Sequence, residues 1–295
     1  MAPLRFGLIG LGRFGKHYDR LLREIPGVEL ASVATRHSEI RTQDIFVDKN
    51  IDAVVIATPP STHAGLILEA LRAGKHVLVE KPMVTSVAEA DAVRCELARG
   101  IVFMVGYQYV YNDHIRTLKK LLPSLGKIHY VRGEHLYNGP RREDVGCFMD
   151  ASPHHLSLLE YLFKPGDAVT VRGRQLMFTN AERDDFTAAT VTFASGLSAH
   201  LITSWVAPEK ITKLTLVGEQ GMAVYNDRAE ENKLQVFDSS GTPSSPVISA
   251  REPLRNELEH FIDCIRTGAT PLSNIDLGIR VTKWCENILA EIKRN

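Results

Sequence analysis

The first hundred residues alternate short apolar runs with segments of helical periodicity. The run LRFGLI at 4–9 ends at glycines, and apolar residues then recur at helical spacing from Phe14 to Glu24. The pattern continues in this order: strand 28–35, strand 52–58, helix 62–73, strand 75–79, helix 87–99 and strand 101–105. The run at 52–58 is apolar throughout, as expected of a strand covered on both faces, so the sheet should be parallel. The alternation predicts a doubly wound half with six strand-like runs and a short or irregular crossover at 36–51.

The pattern changes after about Gly106. A helix near 113–122 precedes a strand at 127–137, and from Ala168 onward apolar and β-branched runs are separated by Gly, Asp and Asn turn residues, which indicates an antiparallel sheet. Helical periodicity returns at the end of the chain, over 254–267 and 275–293. We therefore predict two domains: a Rossmann dinucleotide-binding domain over 1–107 and an α+β domain for substrate binding and oligomerisation over 108–295.

The predicted second sheet is mostly antiparallel and covered by helices on one face only. Its other face is then available for self-association, so we expect a homodimer or homotetramer formed through the C-terminal sheet.

Composition narrows the choice of partner. The 295 residues are 44% hydrophobic, and 35 basic side chains balance 35 acidic ones, so no overall field attracts nucleic acid or a membrane surface. The four cysteines lack a C-x-x-C pair or zinc-ligand spacing, so we expect reduced thiols and no metal. The stretch from Met1 to Gly15 lacks the features of a signal peptide, and no run of about 18 apolar residues occurs. These features predict a cytoplasmic protein that acts on a small molecule.

A glycine-rich turn follows the first predicted strand. The sequence GLGRFG has the G-x-G-x-x-G spacing of a dinucleotide-binding turn and consists of Gly10, Leu11, Gly12, Arg13, Phe14 and Gly15. In such a turn the first glycine permits a tight bend, the second lets the backbone approach a pyrophosphate, and the third allows close helix packing. The helix that follows would present N–H groups to the anion. The strand, turn and helix context favours dinucleotide binding over a plain glycine turn.

The end of the second strand is the expected position for the residue that contacts the adenosine ribose. An acid there is usual when NAD binds, but this chain has Thr35 and Arg36, and Glu29 lies at the opposite end of the strand. A hydroxyl beside a guanidinium suits a 2′-phosphate, so we expect NADP rather than NAD. The alternative is that Arg36 is a solvated charge and NAD binds without the acid.

The strand at 75–79 continues into Glu80, Lys81 and Pro82 at its carboxyl end, the edge where open α/β sheets bind ligands. Together with the glycine turn, the motifs that follow resemble those of the Gfo/Idh/MocA family of oxidoreductases: TPPSTH at 58–63, GKHVLVEKP at 74–82 and D-x-x-x-H at 150–154. The resemblance covers most of the chain. It implies that Lys81 contacts substrate near the nicotinamide, that Glu80 reaches the nicotinamide ribose, and that Pro82 often follows a cis peptide.

Independent chemistry supports the role of Lys81. An ammonium group at the reacting carbon polarises the carbonyl oxygen during reduction and stabilises the developing alkoxide during oxidation. A surface Lys-Pro turn is the alternative. In the TPPSTH turn we assign Thr58, Pro59 and His63 to the cofactor crevice, with His63 as structural support.

The D-x-x-x-H motif precedes an apolar run at 156–163. Ser152 suits the N-cap of a helix and Pro153 its first position, which would place His154 in the first turn. There the helix dipole would lower the pKa of His154 and Asp150 would raise it, leaving an imidazole able to exchange a proton near neutral pH. We assign proton transfer to His154 and its orientation, or a substrate contact, to Asp150. His155 is the competing candidate, and family spacing favours His154.

Three further residues are candidate substrate contacts. Tyr109 and Asn112 follow the last strand of the first half, where aromatic packing at a domain junction is the alternative. Arg141 lies beside Arg142 in a predicted loop before Asp150, where the pair could bind an anionic substrate group or remain solvated.

The function predicted from these features is hydride transfer between nicotinamide and a hydroxyl or carbonyl carbon of a sugar, cyclitol or nucleotide-linked sugar. Lys81 and His154 come from different predicted domains and would have to meet above the nicotinamide. Two alternatives stay open. One is a glycosidase that uses NAD for transient oxidation, and the other is a non-catalytic cofactor-binding sensor.

Overall fold

The structure is a computed structural model that describes residues 2–139, 141–179 and 182–294. Its contacts divide the chain into two compact units. The first comprises Met1–Tyr107 with Leu254–Thr282, and the second comprises Gln108–Pro253 with Lys283–Asn295.

The N-terminal stretch of the first unit alternates strands and helices as predicted. Its elements are β1 (Leu4–Ile9), α1 (Gly15–Glu24), β2 (Val28–Ala34), α2 (Thr42–Val47), β3 (Ala53–Ile56), α3 (His63–Arg72), β4 (His76–Glu80), α4 (Val87–Glu96) and β5 (Phe103–Gly106). The crossover between β2 and β3 contains only the six-residue α2, which confirms that it is short. Helix α4 ends three residues before the predicted boundary at position 99.

Across the described residues, these strands form one parallel sheet in the order β2-β1-β3-β4-β5. The sheet therefore has five strands, and the expected count of six was wrong. After β5 the chain leaves the sheet for a 3₁₀ turn at Gln108–Tyr111. Strands β3 and β5 are buried at every position, as apolar runs covered on both faces should be, whereas β2 is mostly only partly buried.

The rest of the chain contains the second sheet and the C-terminal helices. Its elements are α5 (Asp113–Leu121), β6 (Ile128–Asn138), α6 (Cys147–Phe163), β7 (Ala168–Leu176), β8 (Phe186–Phe193), β9 (Ser198–Ser204), β10 (Val206–Gly218), β11 (Gly221–Asn226), β12 (Leu234–Asp238), β13 (Pro243–Ser244), α7 (Pro253–Thr267) and α8 (Ile275–Arg294). Within the described ranges the sheet has eight strands in the order β13-β12-β11-β10-β6-β9-β8-β7. Its strand pairs are antiparallel except β6 with β9, which confirms the mostly antiparallel sheet.

Helices pack on one face of this sheet. A side chain at Gly133 of β6 would collide with the ring of His155 in α6, and Trp284 of α8 packs edge-on against Phe193 of β8. Along β8 and β9, buried positions alternate with partly exposed ones. The opposite face of the sheet therefore carries the less buried side chains, as predicted.

The segment Leu254–Thr282 belongs with the first unit, whereas the predicted domain boundary assigned it to the second. Phe261 of α7 packs edge-on against Phe6 of β1 at 6.1 Å, and Val105 of β5 donates its N–H to Ser273 O at 2.8 Å. These long-range contacts explain the difference, because hydrophobic periodicity identifies a helix without specifying which sheet it packs against.

No helix in the described part of the chain is both long and apolar enough to cross a membrane.

Candidate active site

The glycine turn between β1 and α1 has the geometry that a dinucleotide requires. Gly10 has φ +96°, a conformation that side-chain-bearing residues rarely adopt, and donates its N–H to Ala34 O at 2.8 Å. A Cβ atom at Gly15 would collide with Gly10 O, so the start of α1 can approach the turn only because residue 15 is glycine. A Cβ at Gly12 would meet nothing within 4 Å, which leaves open space above its backbone. The turn thus fits a pyrophosphate lying against Gly12.

The N-terminus of α1 is also free of internal negative charge. Phe14 at the N-cap makes no side-chain capping hydrogen bond, and the first turn contains no acidic residue. The partial positive charge of this helix end is therefore available to an external anion. Arg13 beside it adds a cationic side chain.

At the carboxyl end of β2 the strand stops at Ala34, and residues 35–38 form a hydrogen-bonded turn. The Thr35 N–H donates to Ser38 Oγ at 2.8 Å, and the Thr35 hydroxyl accepts from the His37 N–H at 3.2 Å. The exposed guanidinium of Arg36 makes no hydrogen bond or ion pair with any described residue. Glu29 pairs with Arg5 at 2.6 Å at the other end of the strand, away from this turn.

The TPPSTH turn after β3 is held by its histidine. His63 is fully buried, and its ring nitrogens Nδ1 and Nε2 lie 2.9 Å from Pro82 O and 3.0 Å from Thr58 O, respectively. Thr58 Oγ1 is also 2.7 Å from Thr62 Oγ1, while Pro59 is exposed. The buried ring of His63 therefore lies between two turns at the carboxyl edge of the sheet, and in its neutral form it can donate its single ring N–H to one of the two carbonyl oxygens. This is the structural position expected for it.

Glu80, Lys81 and Pro82 form the corresponding turn after β4. The Lys81–Pro82 peptide is cis, as the family resemblance implied. The side chain of Glu80 is buried, with Oε1 accepting from the Tyr18 hydroxyl at 2.9 Å and Oε2 from the Lys81 N–H at 3.1 Å. Both carboxylate oxygens are thus anchored by the protein, which fixes their direction at the sheet edge.

In the second unit, Asp150 lies in an ion-paired and hydrogen-bonded environment. The Tyr137 hydroxyl donates to Asp150 Oδ2 at 2.9 Å, and Arg142 Nε lies 3.4 Å from Oδ1. Burial and the nearby Asp150 charge raise the pKa of Tyr137, so the phenol keeps the proton that it donates. Arg142 is therefore the partner of the D-x-x-x-H acid, a role that the sequence left open.

Helix α6 begins at Cys147, so the predicted start at Ser152 was wrong. Gly146 is the N-cap, Pro153 lies inside the helix, and His154 is two turns from its N-terminus. The cap comes from Asp184, which accepts the Cys147 N–H with its backbone oxygen at 2.9 Å and the Phe148 N–H with Oδ2 at 2.8 Å. A cap supplied from 36 residues away leaves no local sequence signal. The argument from the helix dipole consequently does not apply to His154.

Aromatic rings surround His154. The His135 ring stacks on it at 5.1 Å with an interplanar angle of 19°, and the Tyr109 ring meets it edge-on at 5.0 Å. A small cavity of about 10 Å³ lies beside it, bounded among others by Thr212 and Tyr225. The imidazole is thus held by ring packing within the second unit.

His155, the competing candidate, is a buried residue of the core. It is 3% exposed, and its Nε2 lies 3.1 Å from Lys213 O, to which it donates. Burial lowers the pKa of His155 to about 4, partly offset by this hydrogen bond. A neutral, buried and hydrogen-bonded imidazole is a structural group, which favours His154 for proton exchange.

Comparison with known families identifies the family to which this fold belongs. A family model described as an oxidoreductase family with an NAD-binding Rossmann fold matches residues 4–107, and a model described as the GFO/IDH/MocA C-terminal domain matches residues 115–224. The chain belongs to the Gfo/Idh/MocA family. It is therefore an NAD(P)-dependent oxidoreductase, as the sequence predicted.

Similar proteins extend along the whole chain. Scyllo-inositol 2-dehydrogenase (NAD(+)) of Bacillus subtilis is 25% identical, with 99% of this chain and 97% of that protein covered. Myo-inositol 2-dehydrogenase of Thermotoga maritima is 23% identical over 91% of this chain and 90% of that protein. The solved structure of UDP-N-acetylglucosamine 3-dehydrogenase from Acidithiobacillus ferrooxidans is 25% identical, has a TM-score of 0.87, and covers 100% of this chain and 99% of its own.

Two of the predicted substrate contacts in this Gfo/Idh/MocA protein have other partners. The Tyr109 hydroxyl donates to Asp227 Oδ2 at 3.3 Å. Asn112 caps α5 by accepting the His114 N–H at 2.9 Å, and its amide donates to the Tyr225 hydroxyl at 3.0 Å. Both residues are at least nine-tenths buried. Tyr109 also packs edge-on against His154, and Asn112 bonds to Tyr225, which lines the same small cavity as His154.

The third predicted contact, Arg141, pairs with Asp185 at 3.2 Å. Asp185 in turn accepts the backbone N–H groups of Phe178 and Thr179, at 2.8 and 2.9 Å. Arg141 therefore pairs with the carboxylate that holds the backbone of Phe178 and Thr179, while its side chain stays 42% exposed.

Sequence reasoning missed four residues that contact the candidate site residues, directly or through one another. His135 and Tyr137 lie on the same face of β6 as Gly133, and their period of two was a usable signal. Tyr18 and Glu257 lie on the apolar faces of α1 and α7, where a polar residue among buried neighbours is the only hint that a sequence offers.

The pKa of His155 makes stability depend on pH in a defined direction. Between about pH 4 and 6.5 the unfolded chain binds a proton at this histidine and the folded chain does not, so acidification favours unfolding. Replacing His155 with Gln removes this dependence. From pH 7 to pH 4, the free energy of unfolding of the wild type should fall by about 3 kcal/mol more than that of the variant.

Chemical denaturation at each pH measures this difference. His129→Gln, an exposed change on β6, is the control and should follow the wild type. Parallel pH curves for the wild type and His155→Gln would contradict the assignment.

Proposed function

We propose that this enzyme transfers a hydride between nicotinamide and a hydroxyl or carbonyl carbon of a sugar, cyclitol or nucleotide-linked sugar. The observation that carries the proposal is the placement of Lys81 directly after β4, at the same sheet edge as the glycine turn that fits a pyrophosphate. Relatives named as inositol and UDP-N-acetylglucosamine dehydrogenases support the substrate class.

The bound nicotinamide supplies or accepts the hydride. In the proposed mechanism, the Lys81 ammonium polarises the substrate oxygen and stabilises negative charge that develops on it. His154 exchanges the hydroxyl proton, with its ring held by His135 and Tyr109. Asp150, anchored by Tyr137 and Arg142, presents a fixed carboxylate from the first turn of the same helix. Gly10, Gly12 and Gly15 would shape the turn that holds the cofactor phosphates, and Glu80 would accept from ribose hydroxyls.

Two single substitutions separate these roles. We expect Lys81→Met and His154→Asn each to lower kcat by about 10²- to 10⁴-fold, because each removes a group that acts on the reacting oxygen. His154→Asn should still bind the cofactor with nearly normal affinity. The measurement is nicotinamide absorbance during turnover of inositols, aldoses and nucleotide-linked sugars, with the exposed change His129→Asn as control.

Wild-type protein that turns over none of these compounds with either cofactor would refute the proposal. Release of aglycone from a glycoside without net cofactor turnover would indicate the NAD-dependent glycosidase instead. Cofactor binding with neither reaction would indicate the sensor.

For the cofactor, we propose that NADP is preferred over NAD. In the turn after β2, positions 35 and 36 carry threonine and arginine instead of an acidic residue. The Arg36 guanidinium has no protein partner among the described residues, so it can pair with a 2′-phosphate. The Bacillus subtilis relative is named for NAD(+), so the proposal concerns this chain's own turn.

Arg36→Glu tests the cofactor preference. The substitution places an acid where it can accept from ribose hydroxyls and repel a 2′-phosphate, so affinity for NADPH should fall about tenfold or more while affinity for NADH holds or rises. Lys49→Glu makes the same change of charge on an exposed residue before β3 and should leave both affinities unchanged. Titrations with both cofactors give the dissociation constants. Equal loss of both affinities in Arg36→Glu, or tighter binding of NADH by the wild type, would contradict the preference.

We also propose that the enzyme is a homo-oligomer, a dimer or tetramer, formed through the open face of the eight-stranded sheet. In register across the strands, this face carries apolar side chains that are only partly buried: Leu136, Leu176, Phe186, Ile202 and Ile211. A second copy of the same sheet would remove this surface from water.

The cytoplasmic location expected from the sequence stays a prediction.

Ile202→Glu, in the middle of the open face, tests the interface. We expect the wild type to sediment as a dimer or tetramer and the variant to shift towards monomer at micromolar concentration, because a buried charge destabilises an apolar contact. Val247→Glu, at a fully exposed valine, is the control. A wild-type monomer at every concentration would exclude this assembly.

A further inference from the structure

Three buried side chains of the first unit form a hydrogen-bonded chain that ends at Glu80. The hydroxyl oxygen of Tyr18 in α1 lies 2.9 Å from Glu80 Oε1 and 2.9 Å from Glu257 Oε1 in α7. Tyr18 and Glu257 are fully buried, and Glu80 is 7% exposed. The chain thus connects two helices to the residue that precedes Lys81.

The number of protons in this chain is fixed by its geometry. A phenol has one hydrogen to donate, whereas ionised carboxylates only accept. If both glutamates were ionised, Tyr18 could donate its one hydrogen to only one of them. The carboxylate oxygen of the other would then lie 2.9 Å from the phenol oxygen with no hydrogen between them. Two contacts at hydrogen-bond distance therefore require a second proton, carried by one of the carboxyl groups.

Of the two carboxyl groups, Glu257 has the fewer hydrogen-bond donors among the described residues. Its only hydrogen bond within the described residues is to Tyr18, and its Oε2 is buried without a partner. Glu80, by contrast, also accepts the Lys81 N–H. An ionised carboxylate with one hydrogen bond and no exposure would be costly, and burial together with the charge of Glu80 raises the pKa of Glu257 well above its ordinary value. The groups that face it are Tyr18 from α1 and Glu80 from β4.

We propose that Glu257 is a positioning residue that, as a neutral acid, donates to Tyr18, so that the proton of Tyr18 points to Glu80 and orients its carboxylate toward the cofactor ribose. This role rests on the proposed function, since it concerns how Glu80 receives the nicotinamide end of the cofactor. The Tyr18 hydroxyl then donates to Oε1 and the Lys81 N–H to Oε2, so protein donors hold both oxygens of the Glu80 carboxylate. A neutral Glu257 also leaves one negative charge, instead of two, in this buried group of three side chains.

The protonation of Glu257 can be observed directly in the cofactor-free protein. Infrared difference spectra between the wild type and Glu257→Gln at pH 8 should contain the carbonyl stretch of a neutral carboxyl group in the wild type only. Glu259→Gln, on the same helix but partly exposed, should leave that band in place. A wild-type spectrum without it would overturn the neutral assignment.

Stability gives a second readout that needs no activity. Above about pH 4.5 the unfolded chain releases the proton of Glu257 and the folded chain keeps it, so rising pH disfavours the folded wild type. Glu257→Gln donates the same hydrogen bond without a titrating proton. The melting temperature of this variant should therefore rise relative to the wild type as pH increases from 5 to 8, and Glu259→Gln should not show this trend. A constant difference would overturn the assignment.

Cofactor affinity tests the positioning role. Glu257→Gln should bind the preferred cofactor within roughly twofold of the wild type, whereas Glu257→Ala and Tyr18→Phe should each bind it about tenfold more weakly, with KM for the cofactor raised more than kcat is lowered. Equal affinities for the Gln and Ala variants would overturn the role. If the wild type bound no nicotinamide cofactor, both this role and the proposed function would fail, and the infrared band would still decide the protonation of Glu257.

Discussion

The parallel register of the first sheet determines where the candidate cofactor residues lie. Ile9 of β1 pairs with Ile56 of β3, and Ile56 pairs with Val79 of β4. The residues that follow these positions, Gly10, Ala57 and Glu80, consequently end their strands in one row. The glycine turn, the TPPSTH turn and the Glu80–Lys81 turn meet at this edge, and His63 joins the second of them to the third. Any shift of register would separate groups that are far apart in sequence.

Burial assigns charge states to the ionisable groups around this chemistry. Removal from water lowers the pKa of His155 and raises that of Glu257, so both favour their neutral forms. The surroundings of Asp150 differ, because they suit an ionised carboxylate. Arg142 supplies a positive charge, and the Tyr137 hydroxyl supplies a hydrogen-bond donor. In the second unit, His154 lies next to His155, and in the first unit Glu80 is connected through Tyr18 to Glu257. Both neighbours are buried, and burial favours their neutral forms. Because the neutral forms of His155 and Glu257 are favoured, fewer side chains at the candidate site change their charge near pH 7.

The start of α6 illustrates how tertiary contacts override local signals. Ser152 and Pro153 have the residue types of a helix start, yet Asp184 caps the chain at Gly146 and lets the helix begin six residues earlier. The same carboxylate accepts from the Cys147 thiol and the Thr187 hydroxyl, so one buried acid organises the helix entry and the beginning of β8. His154 therefore lies well inside α6, where its ring contacts His135 and Tyr109.

The sequence by itself determined the parallel and antiparallel halves, the glycine turn, the position of Lys81 at a strand end and the family, because these depend on residue order and on periodicities of two and 3.6. Only the tertiary structure decided which sheet the segment Leu254–Thr282 joins, where α6 begins, and that Tyr109, Asn112 and Arg141 bond to protein groups. It also brought Glu257 to Tyr18, 239 residues away in the chain. These outcomes depend on contacts between distant segments, and a hydrogen bond between such segments leaves no periodic trace in either of them.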